Sequence, residues 1–138
     1  MKDEPIDLNS ALASFEQLWS PRIVTKVNDY DVRVAKVAGE HLWHVHENTD
    51  EFFLVLDGEL SIALRGEGPD ADGTNTAERT VVLGKGSVFV VPCGVEHKPS
   101  SADGASILLF EPAGTPTVGD RHDPVPSHVD ATTGHALG

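Results

Sequence analysis

Short runs of alternating apolar and polar residues fill the chain from Arg22 to about Glu111, and they predict strands. The run 31–38, DVRVAKVA, alternates and breaks at Gly39. The run 51–56, EFFLVL, is apolar on both faces after its first residue. Expected strands lie at 23–27, 31–38, 42–46, 51–56, 60–64, 79–83, 87–91, 97 to about 101, and 105–110. Turn signals recur between them every 8–12 residues, among them Asn28-Asp29, Glu47–Asp50, Gly84–Gly86 and Pro92–Glu96. Asp57-Gly58, between two apolar runs, reads as a tight hairpin turn. Gly58, Gly86 and Gly94 read as turn glycines with positive φ. Residues 66–78, GEGPDADGTNTAE, read as a polar loop. Nine short strands in this rhythm predict an all-β sandwich or barrel.

The ends have a different texture. Asn9-Ser10 are helix-capping residues, and 11–18 reads as a short helix with Leu12, Phe15 and Leu18 on one face and Leu8 a turn earlier. Pro21 bars its continuation. The last 26 residues are rich in Gly, Pro, Thr and Asp and read as a loose polar tail. The expected organisation is therefore a lead over 1–21, a barrel over 22–111 and a tail over 112–138.

Charge narrows the function. The 138 residues carry 22 Asp+Glu against 10 Lys+Arg, a formal net charge of −12. No Lys/Arg cluster exists to grip a phosphate backbone or an anionic bilayer, so neither nucleic acid nor membrane is an expected partner. The N-terminus, MKDEPIDLNS, lacks the apolar core of a secretory signal. A single cysteine, Cys93, excludes an internal disulfide framework. These features predict a soluble cytoplasmic protein. No phosphate-binding glycine loop, dinucleotide fingerprint or nucleophile elbow is present.

The seven histidines are not evenly spread. His41, His44 and His46 cluster, His97 stands alone, and His122, His128 and His135 lie in the tail. His44 and His46 are two apart on an expected strand, so their rings share one face about 7 Å along the chain. Glu51 follows a polar turn and can return to the same point. His97 opens a later strand. Three neutral imidazoles and one carboxylate suit a divalent first-row metal, Fe, Mn, Zn, Ni or Cu. Such a set leaves coordination positions open. On surface hairpins the same histidines would simply be solvated.

The stretch from Gly39 through His44-Val45-His46 and Glu51 to Gly58 resembles the first cupin motif, G-x5-H-x-H-x3-4-E-x6-G, with one residue fewer after Gly39. Gly86, Pro92, Gly94 and His97 resemble the second, G-x5-P-x-G-x2-H-x3-N, with Ser101 in place of the final Asn. The resemblance covers about 22–111 and is closest to small bacterial cupins loosely named mannose-6-phosphate isomerase-like. It implies a double-stranded β-helix, or jelly-roll barrel, with a short N-terminal helix and a loose tail. It also implies a metal held by His44, His46, Glu51 and His97, and a homodimer.

Alternation from Glu51 places Phe53 and Val55 on the ligand face, with Phe52, Leu54 and Leu56 outside, to be covered by the N-terminal helix or a second subunit. Candidate pocket walls are Phe53, Val55, Ile62, Phe89 and Leu109. His41 has the wrong parity relative to His44, so a regular strand turns it away, and Trp43 falls on the outer face. Cys93 reads as a turn residue. Arg33 and Lys36 have opposite parity, so at most one faces inward to meet an anionic substrate. The leading function is a metal-dependent enzyme acting on a small organic molecule, with dioxygenase-type oxidation ahead of isomerisation or decarboxylation, and with Fe or Mn favoured. Glu96 and His41 are the available acid–base groups beyond the ligands. The alternative is a non-catalytic small-molecule-binding or sensing cupin. A sugar-phosphate isomerase is disfavoured because no basic cluster marks a phosphate site.

Overall fold

The computed structural model describes residues 4–65 and 78–137. The polar loop expected at 66–78 lies outside the described residues except for Glu78. One helix, α1 (Leu8–Ala13), is followed by β1 (Arg22–Val27), β2 (Tyr30–Glu40), β3 (His44–Val45), β4 (Glu51–Gly58) and β5 (Leu60–Arg65). After the undescribed segment come β6 (Arg79–Leu83), β7 (Val88–Val91), β8 (Glu96–Pro112), β9 (Arg121–His122) and β10 (His135–Ala136). All pair into one sheet, antiparallel except for β1 with β10.

Strand β8 organises the sheet. The two strands expected at 97–101 and 105–110 are one 17-residue strand. Gly104, at φ +95°, bends it without ending it. On one flank β2 pairs along most of its length. On the other, β4 pairs Phe52–Gly58 with Phe110–Ala105, and β5 then pairs Ser61–Arg65 with Ser100–Glu96. Asp57-Gly58 is therefore not a hairpin turn, because β4 and β5 do not pair with each other. They are two halves of one ribbon that turns a corner beside β8. Gly58 takes φ +80° there, and a Cβ would stand 2.3 Å from the Gly104 carbonyl oxygen. A positive-φ glycine after Asp57 suggests a chain reversal; the fold uses it for a close crossing of two strands. Strands β6 and β7 follow β5 and β4 through the same corner.

The period-2 pattern sorts the side chains. Glu51, Phe53 and Val55 of β4, and Leu60, Ile62 and Leu64 of β5, are buried, while their neighbours are half-buried. The apolar ones join Ala35, Val37, Val91, Ile107 and Leu109 in one core. A second cluster lies outside: Ala11, Leu12 and Phe15 pack on Val34, with Leu56 against them. The lead thus covers part of the outer apolar face, as its amphipathic pattern allows. The helix begins earlier than 11–18 because Asp7, not Asn9 or Ser10, caps it, accepting from the Ser10 N–H at 2.9 Å. Leu18 ends up exposed.

The tail is not loose. Polar composition hid two buried valines, Val118 and Val129, and two short strands that add β9 to β3 and β10 to β1. Gly119 shows how closely it lies. At φ +71°, its Cβ would meet the Val45 carbonyl oxygen at 2.4 Å. Gly119→Ala is expected to destabilise the protein by about 2 kcal/mol or more through left-handed strain plus this clash. Gly94→Ala, whose Cβ meets nothing within 4 Å, should cost less. Urea unfolding of both variants checks the ranking, and equal losses would mean that the strap does not press on β3.

Candidate metal centre

Three elements bring four side chains together. His44 on β3 sits opposite His97 on β8, which sets their rings 4.2 Å apart. His46 follows just past β3, where the Gly94 N–H donates to its carbonyl at 2.9 Å. Glu51 opens β4 beside β7. Potential donor atoms of His44, His46, Glu51 and His97 all lie within 4.8 Å of one another, and all four residues are buried. The turn after β7 is tied to the same place, with the Cys93 N–H donating to Asp50 Oδ1 at 2.9 Å. Cys93 itself is exposed.

Backbone carbonyls set the ring tautomers. His44 Nδ1 donates to the Leu42 carbonyl at 2.9 Å, and His97 Nδ1 to the Val95 carbonyl at 3.0 Å. A carbonyl can only accept, so these protons are fixed on Nδ1 and the Nε2 lone pairs are free. His97 Nε2 then faces Glu51 Oε1 at 2.9 Å. Two acceptors at that distance need a positive charge between them, either a proton or a metal ion. His46 Nε2 lies 3.2 Å from Glu51 Oε2 and has no hydrogen-bond partner. This donor chemistry fits a divalent ion.

Charges around the centre are strongly biased. Burial, reinforced by the neighbouring His97, holds His44 neutral, well below its ordinary value. Burial opposes a charge on His46, but the adjacent Glu51 carboxylate outweighs it and raises the ring. Burial also opposes ionisation of Glu51, yet His46 and His97 hold it well below the usual carboxylate range. Behind Glu51 lies a row that the sequence did not reveal. Arg33, with no exposure, donates from Nη2 to Asp31 Oδ2 at 2.9 Å and from Nη1 to Glu111 Oε1 at 2.8 Å and the Thr115 carbonyl at 3.0 Å. Glu111 lies on β8 beside Glu51 of β4, and burial plus the charge of that neighbour raises it well above its ordinary value. Alternation gives 31 and 33 one shared face of β2, but that this face is the inner one, and that it meets Glu111 beside Glu51, needed the β2–β8–β4 register.

A small cavity abuts the His44–Glu51 side. Phe53 and Leu109 line it, as does His41. Val55 and Ile62 are in the core, and Phe89 is only packed against that core. His41 therefore departs from expectation: residues 41–43 are not a regular strand, so parity from His44 does not carry back to it. Its ring sits 4.8 Å from that of His44. Arg33 is the inward residue of the pair considered, but its donors are taken; Lys36 Nζ donates to the Phe15 carbonyl. Glu96 is outside, paired with Arg65, whose guanidinium stacks 3.9 Å over Trp43. His122, His128 and His135 bond to the Asp123 carbonyl, the Glu40 carbonyl and Asp130 in turn.

An all-β fold that turns three imidazoles and a carboxylate inward from its strands defines a jelly-roll barrel with a candidate metal centre. The chain belongs to the cupin family, whose Cupin domain pattern matches residues 30–111. It is 35% identical over 78 residues to the uncharacterized protein YdbB of Bacillus subtilis, over 56% of this chain and 59% of that one. The chain thus spans 59% of the length of this curated relative. A solved cupin-2 domain protein from Shewanella frigidimarina is 37% identical, covering 78% of this chain and 93% of its own, with a TM-score of 0.66. Hydroquinone 1,2-dioxygenase from Sphingomonas sp. TTNP3, solved with 4-hydroxybenzoate, shares the fold at 20% identity and a TM-score of 0.56, covering 79% of each chain.

Burial holds His41 down to about 4, against an ordinary 6.5. Between those values the unfolded chain binds a proton that the folded chain refuses, so stability falls as pH drops from 6.5 to about 4. His41→Phe should flatten that fall by up to about 3 kcal/mol at the acid end. Urea unfolding of metal-free protein across this range is the measurement, and an unchanged slope would remove His41 from the account.

Proposed function

We propose that the chain is a metal-dependent enzyme that oxidises a small organic molecule inside its barrel, with dioxygenase-type chemistry as the reaction class. His44, His46, Glu51 and His97 would hold one divalent ion, Fe or Mn ahead of Zn, Ni and Cu. The observation that most supports this is the facing of His97 Nε2 and Glu51 Oε1 at 2.9 Å, with the His97 Nδ1 proton already committed to Val95. When bound, such an ion supplies Lewis-acid polarisation and open positions for ligands. The chain's own residues do the rest. Leu42 and Val95 orient two imidazoles, Arg33 holds Glu111 behind Glu51, and the apolar wall excludes water. A ligand-binding, non-catalytic role has one observation in its favour. Outside the four donors, His41 is the single acid–base group among the described residues lining the cavity.

Calorimetric titration with Fe(II), Mn(II) and Zn(II) tests the site. His46→Ala and His97→Ala should each weaken binding by about 100-fold or more, since even second-shell changes cost about 10–100-fold. Because His46 is raised above its ordinary 6.5, protons compete at that ring, and affinity should fall as pH drops, with the fall beginning above 6.5. Unchanged affinity in both variants would refute the assignment. Oxygen uptake by the Fe-loaded chain with candidate small organic substrates separates the enzyme from the binding module.

We also infer a homodimer. Strands β6 and β7 each pair on one side only among the described residues, and Val82, Val88 and Val90 on them are exposed at 59%, 58% and 45%. An apolar edge of this kind is a docking surface for a second copy. Val88→Glu is expected to give a monomer by light scattering; a wild-type monomer at high micromolar concentration would end this reading.

A further inference from the structure

Apart from His44 Nε2, which the proposed ion would take, one polar atom of the residues lining the cavity beside the metal constellation has no partner. His41 is 8% exposed, and its Nδ1 has no hydrogen-bond partner. A buried polar atom left unpaired costs about 1–3 kcal/mol, so it calls for a missing partner. The other polar groups on the cavity wall are occupied, save His44 Nε2, which belongs to the metal constellation. Glu51 is engaged by His46 and His97. Thr117 Oγ1 donates to the Asp130 carbonyl at 2.7 Å and accepts from the Thr132 N–H at 3.0 Å. His44 Nδ1 is held by Leu42. The remaining wall is apolar: Trp19, Val37, Phe53, Pro99, Ile107 and Leu109 are among it.

Trp19 is a second, independent sign. It takes φ +54°, an outlier for a bulky residue, and its N–H and indole Nε1 donate to the Lys36 and Ala38 carbonyls at 2.9 Å each. Those bonds hold its ring 5.0 Å from that of His41. Strain of this kind persists where the surroundings over-determine it, commonly at ligand clamps. The segment carrying Trp19 precedes the barrel, and Thr117 comes from the tail, so both chain ends build the wall.

We propose that this cavity is the binding pocket for a small uncharged molecule with an apolar body and one hydrogen-bonding head, read at the head by His41 Nδ1 and at the body by Trp19. No Lys or Arg lines the cavity, and Arg33 has spent its donors on Asp31, Glu111 and Thr115. A carboxylate or phosphate therefore finds no counter-charge in the chain. The cavity is about 30 Å³, roughly two or three times what one water needs, which fits a ligand of a few heavy atoms. This names a substrate class for the proposed function and rests on that reading for its chemistry, but not for its binding.

The test uses the full chain, metal-free and zinc-loaded, with 15N-labelled histidine and tryptophan. The probes are 2-propanol and acetate, equal in heavy atoms but differing in charge. 2-Propanol is expected to shift His41 Nδ1 and Trp19 Nε1 saturably at millimolar concentration in both forms, leaving Trp43 Nε1 unmoved. Acetate should shift neither in the metal-free form. His41→Phe should weaken 2-propanol at least fivefold, with partial recovery in His41→Asn. No saturable movement of wild-type His41, meaning a bound water only, overturns the proposal. So does movement confined to the zinc-loaded form, or equal binding of acetate. Loss of zinc binding with the 2-propanol response intact would instead sink the metal reading alone.

Discussion

A buried carboxylate cannot stand unpaired in an apolar interior, and Glu51 is the point where this protein meets that constraint. Its two oxygens face His97 and His46 at 2.9 and 3.2 Å, and Glu111, itself raised by burial and by the Glu51 charge, stands behind it. Glu111 is in turn held by Arg33, which Asp31 also neutralises. Removing any member would leave a buried charge without its partner. The inward faces of β2, β3, β4 and β8 are therefore committed to one electrostatic arrangement, and a divalent ion would complete it rather than disturb it.

That arrangement depends on β8 running unbroken past both halves of the barrel. The strand carries His97 at one end and Glu111 at the other. Its bend at Gly104 and the corner at Gly58 let the β4–β5 ribbon follow it round. Of the candidate ligands, His97 is distant in sequence but stands opposite His44 across the β3–β8 ladder and Glu51 opens β4, so register sets their spacing, while His46 sits just past β3. A site built on strands is held more rigidly than one built on loops.

The tail and the lead finish the structure. Val118 and Val129 anchor the tail, Asp120 accepts the Glu47 N–H at 2.8 Å beside His46, and Trp19 walls the cavity. Fewer than one hundred residues of barrel would leave this end open to water. The strap supplies cover at the cost of few apolar side chains, and so its composition looks like that of an unstructured segment.

What the sequence determined by itself was local and periodic. Two-residue alternation assigned the strands and their inward faces, including Glu51, Phe53 and Val55, and the spacing of His44, His46, Glu51 and His97 identified the family and its donor set. It is ambiguous where one signal has two structural uses: a positive-φ glycine serves a turn or a corner, and Asp57-Gly58 is a corner rather than the hairpin its residues suggest. It fails at His41, where irregular backbone breaks parity. Only the tertiary structure decided that Asp31, Arg33 and Glu111 form a row behind Glu51, that the tail folds back, and that His41 and Trp19 face the cavity. The physical reason is that strand faces are fixed by chain geometry within a few residues, whereas register between distant strands is a property of the whole sheet.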